Sequence, residues 1–431
     1  MNSYLSHRNE NELLTELKTL RRMFHKNPEI GFNEFWTTAR IYEYLDKLNC
    51  TVLYGNSLYD NFSEPELLTA WSDKAYKSAK KHYDNDEWIR KLGGRTGLVA
   101  IIQGNKAGPE IGFRFDIDGL PIEESRENSH TPYAEGFNSI NENMHACGHD
   151  GHIAVGLGLA KILANNTEQL KGKYYLIFQP AEELILGGRI FSKLNFIKDL
   201  DYFFPIHIGL IGKKKVVCGV SFLAAKRYNV LFKGRSSHAG ANPEEGKNAL
   251  LAACTATTNL YGISRHSGGA SRINVGEFIA KNASNIIADR AQFELDLRGE
   301  ANEICEYLHY HAQNIINGAS IIHNVESEMI FLADAETANN SIELIEEVRK
   351  ACLDIGIKSD DIIDKYLVPA SEDATFIMNE VIRNGGLSTY IGIGSPIFGG
   401  HHNEQFDFDE DVLPKGVNLL CQLAKNITNG L

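Results

Sequence analysis

The sequence predicts an α/β protein in which a domain built on a mostly parallel sheet is interrupted by a smaller α+β domain. Three observations predict it. Strands alternate with helices up to residue 222 and again after 333, the signature of a parallel α/β sheet. A β-α-β-β-α-β order, the split βαβ or ferredoxin-like pattern, fills the stretch between them. The 431 residues are 43% apolar and 23% charged with 38 Gly and 11 Pro, ample for real cores, and at about 150 residues per domain they make two or three domains. The expected boundaries are 1–222 and 333–431 for the larger domain and 223–332 for the inserted one.

Residues 12–26 place Leu13, Leu17, Leu20 and Phe24 at helical spacing, and Pro28 ends the segment. The stretch 55–95, rich in Asp, Lys, Tyr and Asn, reads as a surface insertion that is helical around Glu64–Lys81. GLVAIIQ (97–103) and EIGFRFD (110–116) are strand-like runs joined by a Gly/Asn/Pro turn. A helix begins near Asp150, and the buried strands KYYLIFQ (173–179) and DYFFPIHIG (201–209) follow. The inserted domain reads as strand 226–234, helix 246–265, strands 271–280 and 289–299, helix 301–316 and strand 321–330. In the strand at 289–299, Ala291, Phe293, Leu295 and Leu297 face one way, while Gln292, Glu294, Asp296 and Arg298 face the other. The α/β pattern resumes with a helix at 341–356, another from Glu372, a strand at 388–394 and a closing helix at 411–427.

Acidic residues outnumber basic ones by 56 to 43, and a net charge of −13 argues against a nucleic-acid partner. The N-terminal MNSYLSHRNENELLTELKTL lacks a signal-peptide core, and no run approaches about 18 uninterrupted apolar residues, so no membrane association is expected. The seven cysteines (Cys50, Cys147, Cys218, Cys254, Cys305, Cys352 and Cys421) are widely spaced and odd in number, which reads as reduced thiols in a cytoplasmic protein.

Four segments carry chemistry: MHACGHDGH (144–152) before a helix, FQPAEE (178–183) after a strand, His207 in PIHIG, and GGHHNEQFDFDED (399–411). Parallel sheets place ligand sites outside the carboxyl ends of their strands, so the four can converge on one rim. Each alone has an ordinary reading. His207 is explicable as a hydrogen-bonded core residue, Glu182 and Glu183 as a solvated turn, Asp150 as a helix cap, and His145 and His152 as packing residues. Together they supply a thiol, imidazoles and adjacent carboxylates, a metal-ligand inventory in which one carboxylate can bind a cation while its neighbour acts as a base.

With those motifs, with GRSSHAG (234–240), SRINVG (271–276) and DLRG (296–299), the chain resembles the M20 family of metal-dependent peptidases, in its amidohydrolase branch cleaving N-acyl amino acids. The resemblance implies a zinc-peptidase-like catalytic domain and an inserted lid and dimerisation domain. It implies metal ligands at Cys147, His149, Glu183, His207 and His402, the last preferred to His401 because the family has His before Asn or Ser. Glu182 takes the general base position. His238 matches a lid histidine that reaches a partner's active site, and Asn285 and Arg298 match positions holding the substrate carboxylate. NIIAD (285–289) carries Ala288 where the family often has proline, which loosens the assignment of Asn285.

FRFDIDGLP (113–121) lacks the His-x-Asp ligands of other branches, so Asp116 and Asp118 read as supporting residues. Two divalent ions are expected, bridged by Cys147 or water; the thiolate favours zinc and the resemblance favours manganese. p-Aminobenzoyl-glutamate is the substrate the resemblance favours, with a broader hippurate-like range, an assembly role beside a related B-type subunit, or binding without catalysis as alternatives. Arg298 is equally readable as a salt bridge to Asp296 or Glu294, and Lys226 and Arg272 are candidates for a second substrate carboxylate.

Overall fold

The computed structural model describes residues 7–59, 62, 65–82 and 86–429, and their contacts divide the chain into two units. One comprises Met1–Ser221, Ala338–Val368 and Asp373–Leu431; the other comprises Phe222–Thr337 and Pro369–Glu372. Part of the helix expected around Glu64–Lys81, including Glu64 itself, lies outside the described residues; the rest contains the helix Asp73–His82.

The first unit is built on β1 (Thr51–Tyr54), β2 (Leu98–Gln103), β3 (Lys106–Asp116), β4 (Lys171–Gln179), β5 (Tyr202–Ile208), β6 (Val216–Val217) and β7 (Val220–Ser221). The second contributes β8 (Ala224–Lys233), β9 (Ser271–Ile279), β10 (Arg290–Gly299) and β11 (Glu326–Ala335). The chain then returns to the first unit through β12 (Ile362–Ile363), β13 (Tyr366–Leu367), β14 (Leu387–Ser388) and β15 (Ile391–Ile393). The large sheet runs β1-β2-β4-β3-β5-β15-β6-β12, with β14 also on β5. Its centre is parallel (β4, β3, β5, β15), and its β1, β2 and β6 neighbours pair antiparallel.

β3 and β4 are buried on both faces because both faces are covered, the second face carrying Arg114, Asp116 and Gln179. Phe113, Phe115, Leu176 and Phe178 join one cluster with Leu13 and Leu17 of the helix His7–His25, Val155 and Leu159 of the helix His149–Ala164, and Val417 and Leu420 near the C-terminus. Close packing there uses a glycine: a Cβ at Gly156 would stand 2.8 Å from Phe115 and Phe178. The opposite face is covered by the helices Gly187–Phe191 and Ala374–Arg383.

In the second unit the strands are ordered β11-β8-β10-β9, every neighbour antiparallel. The helices Ala249–Leu260 and Asn302–His323 bury Tyr228, Val230, Phe232, Phe293, Leu295 and Leu297 on one face. One expectation shifts here. The helix expected to end at 316 runs to His323, and β11 starts at Glu326 rather than 321. Ile321 and Ile322 look like a strand start in the sequence, yet they are exposed on the helix's last turn, which Asn324 ends in the left-handed conformation at φ 52°. The helix Phe35–Leu45 and strand β1 were not foreseen.

Candidate metal centre

The four motif segments converge at the carboxyl ends of β3, β4 and β5 in the first unit. The backbone is bent to bring them there. Gly148, at φ 92°, sets Cys147 and His149 on either side of the helix start. Of the five non-glycine residues with positive φ among those described, Ala181, Ile185 and His402 border the centre. Ala181 is held by its N–H donating to Glu34 Oε1 at 2.8 Å.

His149 is 1% exposed, and its Nδ1–H donates to the Asp118 carbonyl at 2.9 Å. That fixes the tautomer and leaves Nε2 buried without a partner. Asp118 also holds the next donor, since Glu183 N–H donates to Asp118 Oδ2 at 3.0 Å. Glu183 Oε1 is likewise buried and unpartnered, and its Oε2 lies 3.3 Å from His402 Nε2. His207 donates from Nδ1 to the Ile208 carbonyl at 2.7 Å and turns Nε2 toward Cys147 Sγ, 3.5 Å away. His401 Nδ1 stands at the same distance from that sulfur, with its Nε2 bonded to the Gly209 carbonyl.

Cys147 therefore belongs to two three-donor groups, one with His149 and His207 and the other with Glu183 and His402, the donor atoms in each within 4.8 Å of one another. Glu182, 8% exposed, brings Oε2 to 3.9 Å from His149 Nε2. A thiol, imidazole nitrogens and carboxylate oxygens with two orphaned buried atoms fit a divalent cation.

The electrostatics divide the donors: burial is outweighed by Asp116 and Asp118, which hold His149 well above the usual imidazole range, and bonds to Cys147 and Glu183 raise His402 to about 10. Burial and Glu183 push the Cys147 thiol up, but His207 and His149 outweigh them and hold it well below the usual thiol range. Burial pushes His207 down to about 4, so its ring is neutral and its lone pair available.

A hydrogen-bonded layer supports this rim. Arg114, fully buried, donates to Gln179 Oε1, Asp116 Oδ2 and Asp373 Oδ1. Asp116 Oδ1 accepts from His152 Nδ1, and His152 Nε2 accepts the Ile208 N–H at 2.8 Å. Both ring nitrogens of His152 are thus committed, and the ring steadies the end of β5 beside His207. Arg114, Gln179 and Asp373 were not singled out in the sequence; an arginine inside the apolar run EIGFRFD is the signal that marks them.

His238, Asn285 and Arg298 lie in the second unit. His238 is exposed, with Nδ1 accepting from Gly240 N and Ala241 N at 3.1 Å, which leaves Nε2 to carry the proton. Asn285 is exposed, and its carbonyl accepts from Ala239 N. Arg298 pairs with Asp296, Nη2 to Oδ2 at 2.9 Å.

Comparison with known proteins identifies the chain's relatives. The family described as Peptidase family M20/M25/M40 matches residues 112–426. The chain is 39% identical to a homolog, in Haemophilus influenzae, of the A-type subunit of p-aminobenzoyl-glutamate hydrolase, covering 96% of this chain and 99% of that one. It is 38% identical to an indole-3-acetyl-aspartic acid hydrolase of Enterobacter agglomerans, covering 96% of each. Among solved structures, an aminobenzoyl-glutamate utilization protein from Klebsiella pneumoniae superposes with a TM-score of 0.77 at 32% identity, covering 97% of this chain and 98% of that one. With the family matched over most of its length and such identities across nearly all of it, the chain belongs to peptidase family M20/M25/M40.

Proposed function

We propose that the protein hydrolyses the amide bond of N-aroyl and N-acyl amino acids, converting p-aminobenzoyl-glutamate to p-aminobenzoate and glutamate. One observation carries the reading: His149 Nε2 and Glu183 Oε1 are buried without a hydrogen bond beside Cys147, with a second carboxylate, Glu182, at the same place. Membership of an amide-cleaving family and the names of the relatives support the substrate. Cys147, His149, Glu183, His207 and His402 would hold two divalent ions, Cys147 being common to both groups. Such ions lower the pKa of a water and polarise a carbonyl.

Glu182 accepts the proton of the attacking water and delivers it to the leaving amine. His238, with Nδ1 accepting and Nε2 carrying the proton, donates to the developing oxyanion from a second copy of the chain, making the inserted unit a dimerisation element. Arg298 and Asn285 hold the substrate carboxylate. The family resemblance favours manganese, the thiolate zinc. A related B-type subunit is a further partner, suggested by the A-type naming of the relative. Seven free cysteines support a reduced, cytoplasmic setting, and among the described residues no helix is long and apolar enough to cross a membrane.

Metal analysis with a panel of conjugates tests the proposal. The manganese-loaded protein releases glutamate from p-aminobenzoyl-glutamate, and Glu182→Gln lowers kcat about 10²–10⁴-fold while keeping its metal. Normal turnover by Glu182→Gln rejects the mechanism. The relative acting on an aspartate conjugate favours a second substrate, an N-acyl aspartate, and the same panel separates the two.

A further inference from the structure

The open face of the four-stranded sheet carries charge that its own residues do not neutralise. β9 and β10 pair with Arg272 directly opposite Arg298, and Asn274 opposite Asp296. On the other side Asp296 faces Arg227 of β8. These side chains share one face, because the alternating Ile273, Leu295, Leu297 and Tyr228 lie in the apolar cluster beneath the helices.

Like charges directly opposite on neighbouring strands repel, so the Arg272–Arg298 pair costs stability unless an anion joins it. Asp296 answers only part of the charge. It bonds Arg298 Nη2 at 2.9 Å and stands 3.8 Å from Arg227 Nε. Arg272 is exposed, has no carboxylate partner among the described residues, and donates to the Ser271 carbonyl at 3.1 Å. Glu294, the next acid along the face, is opposite Asn229 and Gly276 rather than an arginine. Lys226, the other cation considered for a second carboxylate, lies on the helix side of the sheet: it is opposite Leu297 and bonded to Glu306 at 2.6 Å.

We propose that Arg272 and Arg298 form a two-pronged clamp for the amino-acid half of the substrate, Arg298 taking the α-carboxylate and Arg272 the side-chain carboxylate. This rests on the hydrolase reading above and narrows it to conjugates of dicarboxylic amino acids. Glutamate and aspartate are the amino acids named for the two relatives, and they differ by one methylene. A guanidinium on an exposed strand position accommodates that difference by a change of rotamer.

The test compares benzoyl-glutamate with benzoyl-glutamine, which has the same shape without the second charge. The wild type favours the glutamate conjugate in kcat/KM. Arg272→Gln lowers that preference by about tenfold or more, the worth of a charge-assisted hydrogen bond, through KM rather than kcat. Arg272→Glu inverts it. Equal losses on the two conjugates, or an unaltered preference, overturn the clamp. If the wild type cleaves neither, the hydrolase reading falls, and calorimetry decides the clamp separately: metal-free wild type binds free glutamate more tightly than glutamine, and Arg272→Gln removes the difference. Equal binding of glutamate by both proteins overturns it.

Discussion

Two buried polar regions lie a few ångströms apart in the first unit and differ in one respect. In the layer of Arg114, Asp116, His152, Gln179 and Asp373, each charged or ring group is engaged by a neighbour in the chain. In the rim above it, His149 Nε2 and Glu183 Oε1 make no hydrogen bond. Buried polar atoms are costly when unpaired, so the layer explains itself as structure, whereas the rim makes sense only with a ligand. Polarity and burial are shared by both regions; what sets the rim apart from the layer is unsatisfied donor atoms gathered around one point.

Several measurements break or sharpen this contrast. The largest effect belongs to the rim: chelation abolishes conjugate hydrolysis and added manganese restores it, while far-ultraviolet circular dichroism remains native. Next comes the layer. Arg114→Met leaves Asp116 and Asp373 buried without their cation and lowers stability by about 3–5 kcal/mol in urea unfolding of the metal-free protein.

A second buried network gives a pH-dependent version. His25, fully buried, bonds Asp150 and Glu124 at 2.8 Å and also faces Arg21 and His145. Burial opposes its protonation, but Asp150 and Glu124 raise its pKa to about 9, against Arg21. A raised folded-state pKa means that the stabilisation is complete below about pH 6.5, the unfolded value, and is lost as pH rises through 9. His25→Gln removes that dependence, worth about 1–3 kcal/mol in stability measured across this window. Smallest is the effect of a rim donor on the empty fold. Cys147→Ala loses metal by elemental analysis yet changes metal-free stability by less than about 1 kcal/mol. A large loss there would make the rim structural, like the layer.

Much of this was legible locally. The alternation in β10 sorted Phe293 and Leu295 from Asp296 and Arg298, because side chains in a strand point alternately to opposite faces. The apolar runs of β3, β4 and β5 identified a covered sheet. The reading failed where local signals conflict: Ile321 and Ile322 have strand propensity, but the helix they extend is held by packing upstream, at Leu308, Ala312 and Ile316. That Arg298 bonds Asp296 also needed the folded chain to be seen.

The sequence by itself determined the alternation of elements, and with it the fold class, and the kinds of donor atom present. These depend on residue type and short-range spacing. Only the tertiary structure decided that Asp118 fixes both His149 and Glu183, that both ring nitrogens of His152 are committed, and that Arg272 stands opposite Arg298 while Lys226 faces the helices. Hydrogen-bond partners and strand register join residues far apart in the chain, and no local pattern encodes which of a donor's atoms is left over.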